Sequence, residues 1–183
     1  MPRRIALYGG SFDPLHSAHK EIIKHLSKHF DLVILIPTNV TYYKANAPMF
    51  TFDDRCKVIS DEISKYDNVV ISTIEKNIPE NWRFVDTLKN IVKAHVIYND
   101  DIEYCENNLK LVDTQIYLAI GSDSLQNFKT WTDWKTILKL ARLVVFNRPG
   151  YTDNLPDDIP YLYVPMNNPE SSTRIRKLIS QKN

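Results

Sequence analysis

Short apolar runs alternate with amphipathic stretches along the 183 residues, and the two periodicities predict an order of elements. Residues 5–8 read as a first strand, and residues 16–29 as a helix with Ile22, Ile23 and Leu26 on its buried side. Residues 32–36 form an unbroken apolar run closed by Pro37, the pattern of a strand covered on both faces. Thr51 can cap a helix reaching to about Ile63, with Asp54 favourably placed at its positive end. Strands are then expected over 69–73, 116–120, 143–146 and 161–164, with helices over 84–94 and 172–180. This rhythm predicts an α/β chain: one Rossmann-like, doubly wound, mostly parallel sheet with helices on both faces, as a single domain over 1–183. Ligands of such sheets bind beyond the carboxyl ends of the strands.

Residues 95–115 break the rhythm. They carry Asp100, Asp101, Glu103 and Glu106 with Tyr98 and Tyr104, and read as a polar insertion within the domain. A solvated loop or short helical excursion is the plain reading, and a lid or an oligomer contact the other.

Composition narrows the partners. A net charge of +1 gives no global field for nucleic acid or an anionic membrane, so any anion site must be local. Cys56 and Cys105 form no CxxC, which suits a reducing compartment. No apolar run approaches the ~20 residues that span a bilayer, and the first residues do not read as a signal peptide, so the expected location is cytoplasmic.

The most specific segment is Gly9-Gly10-Ser11-Phe12-Asp13-Pro14-Leu15-His16-Ser17-Ala18-His19. A strand, a glycine turn and a helix entry bring free N–H groups and positive partial charge to one place, which suits phosphate. His16 and His19, three apart, share one side of a first helical turn. Neither has a Cys, Asp or Glu at supporting ligand spacing, so no metal site is expected. The string resembles the GGTFDPxHxGH box of the HxGH nucleotidyltransferase superfamily, with Ala18 where the family carries glycine.

Four further strings carry the same resemblance, to bacterial nicotinate-nucleotide adenylyltransferases. Pro37-Thr38 opens a loop with Lys44 at the family's lysine position, Tyr42-Tyr43 replacing Pro-His; Arg55 matches a basic residue at the start of the following helix. Trp82-Arg83-Phe84-Val85-Asp86-Thr87-Leu88 matches the end of SYTxDTL but replaces Ser-Tyr-Thr, leaving Phe84 and Thr87 as pyridine-side candidates and Arg83 as a group able to pair with a carboxylate or point to solvent. Gly121-Ser122-Asp123 through Trp131, with Asn147-Arg148-Pro149-Gly150-Tyr151, resembles GADxLxxLxxW…VVxxRPGY. Trp131 is then the candidate for stacking on the pyridine ring, and Trp134 reads as core. Ser171-Ser172-Thr173-Arg174-Ile175-Arg176 is close to ISSTxIR, with Glu170 in place of an apolar residue.

The resemblance implies adenylyl transfer from ATP to nicotinate mononucleotide, by direct attack of the mononucleotide phosphate on the α-phosphorus. It implies ATP contacts from Gly9, Gly10, Ser11, Phe12, His16, His19, Gly121, Asp123, Ser172, Thr173 and Arg176, with His16, His19 and Arg176 carrying the chemistry. It implies mononucleotide contacts from Lys44, Arg55, Phe84, Thr87 and Trp131. Mg²⁺ is expected to arrive with ATP, and a homo-oligomer is compatible with the chain. Nicotinamide mononucleotide as acceptor, a phosphopantetheine adenylyltransferase or cytidylyltransferase, and a non-catalytic nucleotide sensor remain alternatives. A redox Rossmann domain needs GxGxxG, which Gly9-Gly10-Ser11 does not supply.

Overall fold

The computed structural model describes residues 2–39, 48–97, 114–151 and 155–181. Six parallel strands form one sheet in the order β3-β2-β1-β4-β5-β6, where β1 is Arg3–Gly10, β2 Leu32–Pro37, β3 Val69–Ile71, β4 Thr114–Gly121, β5 Arg142–Phe146 and β6 Tyr161–Val164. The chain winds outward from β1 to β3, then crosses back to β4 on the other side of β1. That reversal opens a crevice at the carboxyl ends of β1 and β4, the place where doubly wound sheets hold ligands.

Alternation along the central strands explains two cores. Ile5, Leu7, Ile34, Ile36, Leu118, Ile120, Leu143 and Val145 point to one face, under α3 (Phe84–Ile97), α4 (Ser122–Gln126) and α5 (Trp134–Leu140). Ala6, Tyr8, Val33, Leu35, Tyr117, Ala119, Val144 and Phe146 point to the other, under α1 (Ser17–His29) and α2 (Phe52–Ile63). Each face therefore removes a row of apolar side chains from water, at about 25 cal/mol per Å² of apolar area. A helix α6 (Ser172–Ser180) closes the described chain, capped by Ser171, whose hydroxyl accepts from the N–H of Arg174 at 3.2 Å. Among the described residues no helix is long and apolar enough to cross a membrane.

The expected strands and helices are all present, with shifted ends. β1 runs two residues further at its carboxyl end, because Gly9 and Gly10 still pair with Ile36 and Pro37. Helix α5 is an addition: it starts from Asp133 at φ 54°, whose carboxylate accepts from the Thr136 hydroxyl at 2.9 Å. The ends of the expected insertion belong to regular elements instead. α3 continues through residue 97, and β4 already pairs at Thr114. The remainder, 98–113, lies outside the described residues.

Candidate functional site

The crevice holds a cavity of about 510 Å³. Gly9, Gly10 and Ser11 line it from the end of β1, His16 and His19 from the start of α1, Gly121 and Asp123 from the end of β4, and Ser172 and Thr173 from the start of α6. Segments far apart in sequence thus meet where the topology reverses.

The two histidines form a stacked pair, ring centroids 3.6 Å apart at 25°. His16 is 7% exposed, and burial together with the charge of Arg148 lowers its pKa to about 4 against the opposing pull of Glu170. It is therefore neutral at pH 7, and its buried Nδ1 has no partner among the described residues. His19 accepts at Nδ1 from the backbone N–H of His16 at 3.3 Å. A neutral His19 must then carry its proton on Nε2.

Phe12 packs against the His19 side of this pair. Its ring is fully buried, meeting Tyr8 edge-on at 5.4 Å and His19 at 5.0 Å. Its φ of 46° is a left-handed conformation that a bulky side chain adopts only where packing imposes it. A Cβ added to Gly10 would meet the Phe12 ring at 3.3 Å, so glycine there lets the turn close over the ring.

On the β4 side, Asp123 accepts from Arg148 at 2.6 Å, and the Arg148 backbone N–H donates to Ser122 Oγ at 2.9 Å. A Cβ on Gly121 would come within 2.3 Å of Asp123 Oδ1, so the absence of a side chain there fixes where the carboxylate lies. Tyr8 borders the same charges, and burial pushes its hydroxyl pKa well above the ordinary value.

At the other end, Phe84 and Trp131 make an aromatic wall, ring centroids 5.5 Å apart and nearly perpendicular. Arg83 lines this end, its guanidinium donating to the carbonyls of Glu80 at 3.0 Å and Trp82 at 2.8 Å. Behind the wall, Trp82 Nε1 donates to Thr87 Oγ1 at 2.7 Å, and Thr87 Oγ1 donates to Glu75 Oε1 at 2.8 Å. Burial raises the Glu75 pKa, against the bonds from Thr87 and the Asn39 N–H.

Four sequence-expected residues stand elsewhere than in the lining. Arg55 is 2% exposed and donates to the carbonyls of Ser11 at 2.6 Å, Thr38 at 2.8 Å and Phe50 at 3.3 Å. It ties together the segments just past β1, just past β2 and just before α2, whose carbonyls lie outside the sheet ladder. Arg176 donates to the Asp13 carbonyl at 2.6 Å and also bonds Thr173 Oγ1 at 3.2 Å, with the buried Asp13 carboxylate at 3.4 Å as its counter-charge. Phe12 supplies a buried ring, and Thr87 a buried hydroxyl. Lys44 lies outside the described residues.

Sequence reasoning passed over Tyr8, Glu75, Arg148 and Asn168 as site residues, all of which line the cavity. Arg148 had a signal, its place in the Arg-Pro-Gly string. Asn168 had none: it reaches the site by bonding Ser17 Oγ and Glu21 at the start of α1, across about 150 residues of chain. Among the described residues no group of three or more His, Cys, Asp or Glu is arranged to hold a metal ion.

The chain is similar to known proteins over most of its length. The cytidylyltransferase-like family model matches residues 7–178. A protein of Fusobacterium nucleatum named probable nicotinate-nucleotide adenylyltransferase is 32% identical over 79% of this chain and 68% of its own length. One of the same name from Campylobacter fetus is 34% identical over 94% of this chain and 84% of its own. Against a Corynebacterium glutamicum relative, also so named, the chain spans 62% of that protein's length at 28% identity. The solved Plasmodium falciparum nicotinic acid mononucleotide adenylyltransferase complexed with NaAD superposes with a TM-score of 0.70, covering 99% of this chain and 86% of that one at 18% identity, a likeness of fold.

Proposed function

The chain belongs to the cytidylyltransferase-like family, and from that premise we propose that it transfers the adenylyl group of ATP to nicotinate mononucleotide. The products are deamido-NAD and pyrophosphate. The observation that carries this reading is the stacked His16–His19 pair facing the same cavity as the α6 start and the Phe84–Trp131 wall.

The 5′-phosphate oxygen of the mononucleotide attacks the α-phosphorus in line, and the bond from that phosphorus to the β-phosphate oxygen breaks. Pyrophosphate carries the electron pair away, and no side chain becomes covalently attached. Catalysis is then positioning plus stabilisation of moving negative charge. His19, with its proton on Nε2, donates to the phosphates, as does neutral His16. The first amides of α6 and the hydroxyls of Ser172 and Thr173 face the leaving end. Asp123, oriented by Arg148, accepts from a ribose hydroxyl. Phe84 and Trp131 enclose the pyridine ring, with Arg83 toward its carboxylate, and Lys44 meets the mononucleotide phosphate. Arg55, Arg176 and Thr87 hold the loops that present these groups. Mg²⁺ enters as Mg·ATP, part of the substrate, and the work belongs to a cytoplasmic nucleotide pool.

The test is incubation of purified protein with Mg·ATP and either nicotinate mononucleotide or its amide, following pyrophosphate and dinucleotide. Preference for the acid supports the reading; preference for the amide keeps the chemistry and replaces the acceptor. ATP binding without turnover of either overturns it.

A further inference from the structure

Glu75 takes no part in the chemistry above, yet its carboxylate gathers donors from two sides of the cavity. It is 4% exposed and lies between β3 and α3. From the α3 side comes the Thr87 hydroxyl at 2.8 Å, itself receiving the Trp82 indole N–H at 2.7 Å. From the other side comes the backbone N–H of Asn39, the last described residue of the segment leaving β2. The Asn39 side chain adds a second tie, its Nδ2 donating to the carbonyl of Lys76, next to Glu75, at 2.7 Å.

These two segments lie beyond the sheet ladder, so the hydrogen bonds of β2 and β3 do not set their separation. One acceptor group bonded to both does.

We propose that Glu75 is a positioning residue for the acceptor: its carboxylate fixes the β2 exit at Asn39 against the Trp82–Thr87 segment, so that the mononucleotide half of the cavity is formed before substrate arrives. The identity of that acceptor rests on the proposed function; the coupling of the two segments does not. Preformed walls lower the ordering cost of binding the acceptor and leave ATP binding untouched.

The experiment compares Glu75→Ala and Glu75→Gln with the parent protein. Amide exchange is measured without ligand, followed by KM for nicotinate mononucleotide and for ATP. Glu75→Ala is expected to speed exchange at 82–87 and at Asn39 together, by about tenfold relative to the sheet core. It should raise the mononucleotide KM by about tenfold while the ATP KM stays within about twofold. Glu75→Gln, which keeps an acceptor oxygen, should restore most of both. Equal rises in the two KM values, faster exchange across the whole sheet, or no rescue by glutamine would overturn the proposal. If the alanine variant does not fold, Thr87→Val serves: it should loosen 82–87 and leave Asn39 protected, and loosening of both overturns the two-sided arrangement. A parent protein inactive toward the mononucleotide counts against the proposed function alone, because the exchange measurement still decides the coupling.

Discussion

The backbone N–H of His16 donates to Nδ1 of His19 at 3.3 Å, so the amide of one histidine sets the tautomer of the other. Stacking at 3.6 Å then holds both rings toward the cavity. A donor fixed before substrate arrives needs no reorganisation in the transition state, which is where preorganised groups contribute most.

His19→Ala should therefore lower kcat by about 10²- to 10⁴-fold. Its loss of packing on Phe12 should cost only on the order of 1 kcal/mol. Rapid-quench turnover with circular dichroism on the same sample checks both. A variant with near-normal kcat removes His19 from the chemistry.

Acid should destabilise the fold through His16. Its folded pKa, about 4, lies below the unfolded value of 6.5, so the unfolded chain binds more protons between those pH values. Stability is then fully present above pH ~6.5 and declines as pH falls toward ~4. His25 is shifted in the same direction by burial and by His29, so the share belonging to His16 is what His16→Asn removes. Urea midpoints from pH 4 to 7 should show a shallower slope in that variant, and an unchanged slope contradicts the assignment.

Gly121→Ala should impair nucleotide binding more than stability. The new methyl would come within 2.3 Å of Asp123 Oδ1, and that carboxylate is pinned by Arg148 at 2.6 Å. Asp123 must swing away, which spoils its presentation to a ribose. The ATP KM is expected to rise about tenfold, with Tm lowered by only a few degrees, roughly ΔΔG below 1 kcal/mol. A large drop in Tm at unchanged KM would reverse the argument.

Arg55→Met should act on the fold rather than on substrate charge. It strands the carbonyls of Ser11, Thr38 and Phe50 at a site only 2% exposed. Unpaired buried polar groups cost about 1–3 kcal/mol, so denaturant unfolding should fall by at least that amount. Direct phosphate binding by Arg55 predicts the opposite split, normal stability with a raised mononucleotide KM.

Much of the fold was legible because burial of a parallel strand on both faces writes an unbroken apolar run. Residues 32–36 and 143–146 announce themselves in this way. Helix α5 was harder to read, since its seven residues begin from a left-handed aspartate that periodicity does not mark. At the site, the short strings around Gly9, His16, Gly121 and Ser172 could be read because each lies within one turn and its chemistry is local.

What the sequence alone determined was the set of strands, the doubly wound order they imply, and the local phosphate-facing turn with its two histidines. Only the tertiary structure decided which charges face the cavity. Arg55 and Arg176 look like phosphate ligands in sequence, yet each is drawn to a nearer partner, stranded carbonyls in one case and the buried carboxylate of Asp13 in the other. Arg148, Asn168 and Glu75 line the cavity because distant loops converge where the strand order reverses. A buried charge takes whatever partner the fold brings within hydrogen-bond reach, and that distance is not a property of spacing along the chain.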